Sequence, residues 1–194
     1  MEKSLFSSHW ISQTLNLPSP NEQWFSEIST DSRSIKKNSL FVALKGENFD
    51  GHQFIEKAIE NGATGIICSN DHPLNNKNNN TVFFKVTDTL SAYRKLGFAW
   101  KNNFDIPIIA VAGSVGKTTT KDLLASLLQG KWKSVFKTQG SKNGFIGIPM
   151  TLLELRSHHQ IAVIEVGIDD IGAMQEHMDG LRPQFCVITA IGEE

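Results

Sequence analysis

The sequence has few of the features that mark secreted, metal-binding or membrane-spanning proteins. Its two cysteines, Cys68 and Cys186, lie far apart in apolar segments and match no metal-ligand spacing. We expect both to be buried free thiols in a reducing cytoplasm. No apolar run approaches the roughly 18 residues that suggest a membrane span. The start of the chain holds several serines and Trp10 where a signal peptide has its apolar core, so the sequence predicts a cytoplasmic protein.

The sequence also lacks an excess of charge of either sign. Lysine and arginine number 19 and acidic residues 20, which gives a net charge of −1. This balance gives no reason to expect nucleic acid or an anionic membrane as a partner. With 194 residues, of which 40% are hydrophobic, the chain is long enough for one large or two small globular domains.

One stretch organises the rest of the chain, and it runs from Ile106 to Gly130. Its apolar, β-branched start, Ile106–Ala112, predicts a buried strand. A turn with two glycines, Gly113–Gly116, follows. Leucines then recur at helical spacing until Gly130, where a helix would end. Strand, glycine turn, Lys-Thr and helix is the arrangement of a phosphate-binding loop.

The chemistry of such a loop explains its residue types. Glycines let successive backbone N–H groups point into one concavity, and the helix N-terminus adds partial positive charge. Lys117 can reach the β- and γ-phosphates of a nucleotide, and the Thr118 hydroxyl can ligate Mg²⁺. Val111 stands where the strict pattern has its first glycine, so this turn has the shorter form G-x-x-G-K-T. The residues expected to contact the nucleotide are Gly113, Ser114, Val115, Gly116, Lys117, Thr118 and Thr119.

A second buried strand, Ile161–Val166, contains one acidic residue, Glu165. An unpaired buried carboxylate is costly, so Glu165 needs a partner. Near the carboxyl end of a strand beside a phosphate loop, that partner can be Mg²⁺, bound directly or through water. The alternatives are an ion pair with a lysine, or a side chain that points outward at the end of the strand.

The residues before the phosphate loop predict a separate, smaller α/β unit. Apolar strands and one short helix alternate there, and the helix ends at Gly62. We expect a domain boundary near Val86, which divides the chain into domains of residues 1–86 and 87–194. The predicted fold class is therefore α/β, with a small N-terminal domain followed by an incomplete parallel-sheet domain that holds the phosphate loop.

Two segments resemble the Mur ligases, the ATP-dependent amide-forming enzymes of peptidoglycan synthesis. The run Gly-Ser-x-Gly-Lys-Thr-Thr-Thr-Lys at residues 113–121 resembles their nucleotide loop. The segment Thr30–Ile67 resembles the N-terminal domain of the members that add a tripeptide's third residue or a terminal dipeptide. The serine after the first glycine, together with Lys121, is most similar to members that add D-alanyl-D-alanine to UDP-N-acetylmuramoyl-tripeptide.

The resemblance implies a function for each segment. In the family the N-terminal domain holds the UDP end of the substrate, and the matching positions here are Asp31, Ser32, Arg33, Lys45, Gly46, Asp50, Gly51 and His52. The planar fork of Arg33 suits a diphosphate or a uracil carbonyl. Asp31 either accepts an imide N–H or holds Arg33 in place. Thr138 and Asn143 match a loop that lies over the nucleotide phosphates and the muramoyl substrate.

The implied reaction is ATP-dependent ligation, with Lys117 and Glu165 as catalytic residues, and Thr118 and Glu165 as ligands of Mg²⁺. The alternative within the family is the ligase that adds the third amino acid to the dipeptide precursor. A different reading is a fragment that binds a UDP-sugar peptide or ATP without chemistry. We expect the complete enzyme to be a monomer.

The resemblance extends from Thr30 to the last residue but covers less than half of a family enzyme. The family's next histidine, a later lysine and the whole C-terminal domain would follow beyond Glu194. We therefore expect the 194-residue chain to be inactive by itself.

Overall fold

The computed structural model describes residues 5–46, 49–73, 80–168 and 171–192. The chain divides into two compact units, residues 1–96 and 97–194, and the division falls within one helix, Thr89–Lys101 (α3). Each unit has a four-stranded sheet with helices, so the predicted α/β class with parallel sheets is confirmed. The boundary near Val86 and its two domains stay a prediction.

The N-terminal unit is built around a parallel sheet in the order β3-β4-β5-β6. A short antiparallel pair, β1 and β2, precedes it in the chain. A 3₁₀ turn, Gly51–Phe54, leads into α2, which ends at Gly62 with a φ of 119°, as the sequence predicts. The elements are β1 (Phe6–Ser7), α1 (Ser8–Leu15), β2 (Trp24–Phe25), β3 (Ile28–Ser29), β4 (Ser39–Val42), α2 (Ile55–Asn61), β5 (Ala63–Ser69) and β6 (Val82–Val86).

The C-terminal unit has a parallel sheet in the order β10-β7-β9-β8, in which β7 and β9 are the two central strands. Both are almost entirely buried, which explains their continuous apolar sequences. The elements that follow α3 are β7 (Ile108–Ala112), α4 (Lys117–Leu128), β8 (Val135–Lys137), α5 (Gly147–Leu153), β9 (Ile161–Glu165), α6 (Ala173–Leu181) and β10 (Phe185–Ile188).

Strand register brings the polar residues of the C-terminal unit together. Val111 on β7 pairs with Glu165 on β9, and Ala112 pairs with Ile188 on β10. Because the strands are parallel, the segments that leave their carboxyl ends lie at one edge of the sheet. The start of α4 and the residues after β8 therefore lie beside Glu165, and the end of β10 lies beside the glycine turn.

The two cysteines have different environments. Cys68 is buried in β5, as expected, but Cys186 is exposed, so the prediction of a buried thiol there is wrong. The reason is that β10 is an edge strand whose side chains are largely open to solvent in the described part of the chain. No helix among the described residues has the length and apolar character needed to cross a membrane.

Candidate functional site

The turn between β7 and α4 depends on glycine at two positions. Gly113 has a φ of 134° and Gly116 a φ of 84°, conformations that other residues adopt only with strain. A Cβ atom on Gly113 would also collide with the Thr189 side chain. The turn ends at Gly116, directly before Lys117, the first residue of the twelve-residue helix α4. The helix N-terminus, with its partial positive charge, therefore faces the turn.

The ammonium group of Lys117 lies across this turn. Its Nζ donates to the carbonyl oxygens of Gly113, at 2.6 Å, and Ser114, at 2.9 Å. These contacts place a positive charge over the turn, next to the N-terminus of α4. The arrangement has the charge and the donors that a bound phosphate requires.

The end of β10 holds the turn from the other side, which the sequence did not predict. The Thr189 hydroxyl donates to the Val115 carbonyl at 2.5 Å. The Ser114 hydroxyl donates to the Gly192 carbonyl at 3.1 Å, and the Gly192 N–H donates back to that hydroxyl at 3.1 Å. The sequence carried no signal for these contacts, because they depend on the pairing of β10 with β7.

Glu165 lies at the carboxyl end of β9 with only 1% of its surface exposed. Its Oε1 accepts from the Thr118 hydroxyl at 3.1 Å and from Asn143 Nδ2 at 2.8 Å. Its Oε2 is buried and has no hydrogen-bond donor among the described residues. Lys121 Nζ lies 3.4 Å from Oε2, so the lysine pair that the sequence left open is present as well.

These residues fit Mg²⁺ held together with nucleotide phosphates. The described residues contain no cluster of three or more histidine, cysteine or acidic side chains that could hold a metal by themselves. Mg²⁺, however, is commonly bound by one or two protein ligands, several waters and substrate phosphates. The unused Oε2 of Glu165, with the Thr118 hydroxyl on the other oxygen, supplies such a partial ligand set.

The loop after β8 supports Glu165. Thr138 is fully buried, and its hydroxyl accepts from the Glu165 N–H at 3.0 Å. The side chain of Asn143 donates to the carboxylate, and its backbone carbonyl accepts the Gly167 N–H at 2.7 Å. The structure thus places both residues against Glu165, and their contact with substrate stays a prediction.

In the N-terminal unit, Asp31 and Arg33 form a bidentate ion pair just after β3. Arg33 Nε donates to Asp31 Oδ1 at 2.9 Å, and Nη2 donates to Oδ2 at 2.8 Å. The Arg33 hydrogen bonds lower the pKa of Asp31 to about 2. Since both carboxylate oxygens accept from Arg33, the geometry corresponds to the second of the two roles, in which Asp31 holds the guanidinium in place. Ser32 beside them is buried, and its carbonyl accepts from Asn61.

The loop after β4 folds back tightly on itself. Lys45 pairs with Asp50 in an antiparallel bridge, and the Gly46 N–H donates to the Phe49 carbonyl at 2.8 Å. The Gly51 N–H donates to the Leu44 carbonyl, and a Cβ on Gly51 would lie 2.7 Å from that oxygen. Glycine is therefore required where the chain turns away from the strand.

Both ring nitrogens of His52 make hydrogen bonds, one within this loop and one to β5. Nδ1 lies 2.6 Å from Asp50 Oδ1, and Nε2 accepts the Ser69 N–H at 2.9 Å. Because Nε2 accepts, the ring proton is on Nδ1 and is donated to Asp50. The His52 hydrogen bonds also lower the pKa of Asp50. The side chain ties the loop to β5, and a direct substrate contact would require one of these bonds to break.

Two family models match the chain. The Mur ligase middle domain matches residues 111–194, and the model described as Mur ligase family, catalytic domain, matches residues 25–96. The first match contains the phosphate loop and Glu165, and the second contains the segment from Asp31 to His52. Together they cover most of the chain.

Curated relatives and solved structures agree with these matches. The UDP-N-acetylmuramoyl-tripeptide--D-alanyl-D-alanine ligase of Synechocystis sp. is 42% identical over 165 residues, which is 85% of this chain and 36% of the relative. The Bacillus subtilis protein of the same name is 36% identical over 183 residues, which is 94% of this chain and 39% of the relative.

Among solved structures, the UDP-N-acetylmuramoylalanyl-D-glutamyl-2,6-diaminopimelate--D-alanyl-D-alanyl ligase from Acinetobacter baumannii is similar with a TM-score of 0.86. Its identity is 31%, and the match covers 100% of this chain and 44% of that one. The MurF ligase from Thermotoga maritima in complex with ADP has a TM-score of 0.75 and 33% identity, over 86% of this chain and 38% of that one. The chain spans less than half the length of these relatives and structures.

Proposed function

Because the chain belongs to the Mur ligase family, we propose that it is the substrate- and phosphate-binding part of a ligase that joins D-alanyl-D-alanine to UDP-N-acetylmuramoyl-tripeptide. The observation that carries this proposal is the phosphate loop with a buried carboxylate, Glu165, beside it. The names of the Synechocystis and Bacillus relatives favour the tripeptide substrate over the dipeptide precursor.

The glycine turn is proposed to hold the phosphates of ATP. Backbone N–H groups of the turn and of the start of α4 would bind phosphate oxygens, as at other helix N-termini. Lys117 would exchange its two carbonyl contacts for the β- and γ-phosphates. This exchange replaces neutral acceptors by charged ones, which strengthens each hydrogen bond. The ADP complex of the Thermotoga relative supports the proposal that this chain takes part in binding a nucleotide.

Mg²⁺ is proposed to bind at Glu165 Oε2 and the Thr118 hydroxyl. When bound, the ion would neutralise charge on the phosphoryl group that is transferred. Asn143 donates to the carboxylate of Glu165, and the Thr138 hydroxyl fixes the backbone of Glu165 by accepting its N–H. Their part is to keep the ligand oxygen in place without movement during the reaction.

In the proposed reaction, the terminal carboxylate of the UDP-muramoyl peptide takes the γ-phosphoryl group of ATP and ADP leaves. The amine of D-alanyl-D-alanine then attacks the acyl carbon, loses a proton and forms the amide, and inorganic phosphate leaves. Lys117 would stabilise the negative charge on the transferred group, so that catalysis rests mainly on positioning and electrostatics.

The N-terminal unit is proposed to bind the UDP end of the substrate. Arg33 is exposed while its guanidinium is fixed by Asp31, so it presents its remaining N–H donors to solvent in a set orientation. A diphosphate or a uracil carbonyl would accept from this group. Lys45, in the tight loop after β4, would supply a positive charge to the same ligand, and Gly46, whose N–H donates to Phe49, would lie beside it.

We also infer a cytoplasmic location and a monomeric complete enzyme. The location follows from the proposed use of ATP and of a nucleotide-linked sugar. The monomer is the expectation from the family resemblance.

The test is phosphate release by the complete polypeptide that the gene encodes. The protein is incubated with ATP, Mg²⁺ and D-alanyl-D-alanine, together with the tripeptide or the dipeptide precursor in separate reactions. With D-alanyl-D-alanine as the amine, we expect phosphate release and a pentapeptide product from the tripeptide precursor and not from the dipeptide precursor. In a further reaction a single amino acid replaces D-alanyl-D-alanine; turnover there with the dipeptide precursor would assign the protein to the ligases that add the third amino acid. No phosphate release in any of the reactions would contradict ligation.

A further inference from the structure

Lys121 is the one buried lysine next to Glu165 in the described part of the chain, and the proposed phosphate contacts leave it without a role. It lies on α4 one turn after Lys117, with only 1% of its surface exposed. Lysine side chains normally carry their ammonium group to solvent, even when the carbon stem is buried. A fully buried ammonium therefore needs a structural or functional reason.

One of the three contacts that Lys121 makes among the described residues is with the candidate metal ligand Glu165. Nζ donates to the Gly140 carbonyl at 2.9 Å and lies 3.4 Å from Glu165 Oε2 and 3.6 Å from Asp122 Oδ1. Glu165 is as deeply buried as Lys121. Each charge compensates the other, because either alone would carry the full cost of burial.

The geometry of this pair leaves one oxygen of Glu165 open. Charge-assisted hydrogen bonds between nitrogen and oxygen are about 2.7–2.9 Å long, whereas Lys121 is 3.4 Å from Oε2 and makes no hydrogen bond to it. Oε1 has two donors, from Thr118 and Asn143. Lys121 thus balances the charge of Glu165, while Oε2 accepts no hydrogen bond from the described residues and can still bind a metal.

We propose that Lys121 is a positioning residue that takes the place of the divalent cation at Glu165 until the metal arrives with a nucleotide. The proposal rests on the metal role assigned to Glu165 under the proposed function. A bare cation at Oε2 would be repelled by the nearby ammonium group, so its affinity is low. Nucleotide phosphates bring negative charge that offsets both cations, so metal and nucleotide bind together.

The test measures Mn²⁺ binding by electron paramagnetic resonance, without nucleotide and with ADP. Lys121→Gln removes the charge but keeps a donor for the Gly140 carbonyl. We expect this variant to bind Mn²⁺ without nucleotide about tenfold more tightly than the wild type, because the positive charge beside Glu165 Oε2 that repels the cation is lost. Lys121→Arg keeps the charge and should behave as the wild type. Lys137→Gln is the matched control, since Lys137 pairs with Asp122.

The outcomes separate this inference from the proposed function. Adding Glu165→Gln to Lys121→Gln should abolish the gain in affinity. Unchanged Mn²⁺ affinity in Lys121→Gln overturns the inference, even if Glu165→Gln alone weakens Mn²⁺ binding in the presence of ADP. If Glu165→Gln has no effect with ADP, the metal role of Glu165 itself is wrong. The wild type tests the inference without any variant, because Mn²⁺ binding that is equally tight with and without ADP also overturns it.

Discussion

Replacing Thr138 by valine should destabilise the C-terminal unit by removing one buried acceptor. β8 ends at Lys137, which pairs with Val163, so no backbone carbonyl of that strand lies opposite the N–H of Glu165. The Thr138 hydroxyl takes the carbonyl's place at 3.0 Å. Valine has the same shape but cannot accept a hydrogen bond, and the Glu165 N–H would be left buried without a partner.

An unsatisfied buried donor costs roughly 1–3 kcal/mol, so we expect Thr138→Val to lose about 2 kcal/mol of unfolding free energy. For a unit of this size that corresponds to a fall in melting temperature of roughly 8–16 °C. Urea unfolding measures the free energy, and amide hydrogen exchange measures the Glu165 N–H directly. Its protection should drop in the variant more than that of β9 residues further from the strand end.

Thr138→Ser is the matched control, because it keeps the hydroxyl and loses only a methyl group, which costs about 1 kcal/mol. Its Glu165 amide should stay protected. Metal-dependent ADP binding should weaken in the valine variant and be retained in the serine variant, since only the first frees the backbone of Glu165. Wild-type stability and unchanged Glu165 protection in Thr138→Val would refute the reasoning.

Three further results are expected. Glu165→Gln should weaken ADP binding about tenfold in Mg²⁺ and leave binding in a chelator nearly unchanged, because only a metal ligand is lost; a parallel fall in both, or in neither, contradicts the metal role. Arg33→Gln should raise the pKa of Asp31 from about 2 toward its usual 3.8, measured by carboxyl carbon NMR. Because the pKa is lowered in the folded protein, the stability that the pair contributes is fully present above about pH 4 and is lost as the pH falls through about 2. A carboxyl midpoint that does not move in the variant excludes the ion pair in solution. His52→Ala should destabilise the N-terminal unit by roughly 2 kcal/mol, because the Ser69 N–H loses its acceptor, and calorimetry would contradict this if the unfolding transition did not shift.

Local pattern was enough to predict the elements that bear the site. Ile108–Ala112 and Ile161–Glu165 are continuous apolar runs, and that is how central strands of a parallel sheet appear in sequence. Gly113, Gly116 and Gly62 stand where the chain adopts positive φ angles, so their positions in sequence were direct signals of turns and a helix end. Where the residue type itself is required by the local backbone conformation or by burial, the sequence is sufficient to predict the element.

Partners across the sheet were not predictable, because they depend on register. The sequence left Glu165 with several possible partners, and the structure supplies Thr118, Asn143 and Lys121 from three separate positions in the chain. Thr189 shows the same limit, since only the pairing of β10 with β7 brings it to the turn. The exposure of Cys186 was mispredicted because an apolar strand does not show whether it lies at an edge.

The most direct test of the central claim is whether Lys117 binds nucleotide phosphate. ADP is titrated with Mg²⁺ into the wild type, Lys117→Met and the control Lys133→Met, which alters an exposed lysine elsewhere on the same unit. Losing a charge-assisted contact should weaken ADP binding at least about tenfold in Lys117→Met, in protein shown to be folded, and leave Lys133→Met unchanged. ADP affinity within about twofold of the wild type in Lys117→Met would contradict the assignment of residues 113–119 as the nucleotide site.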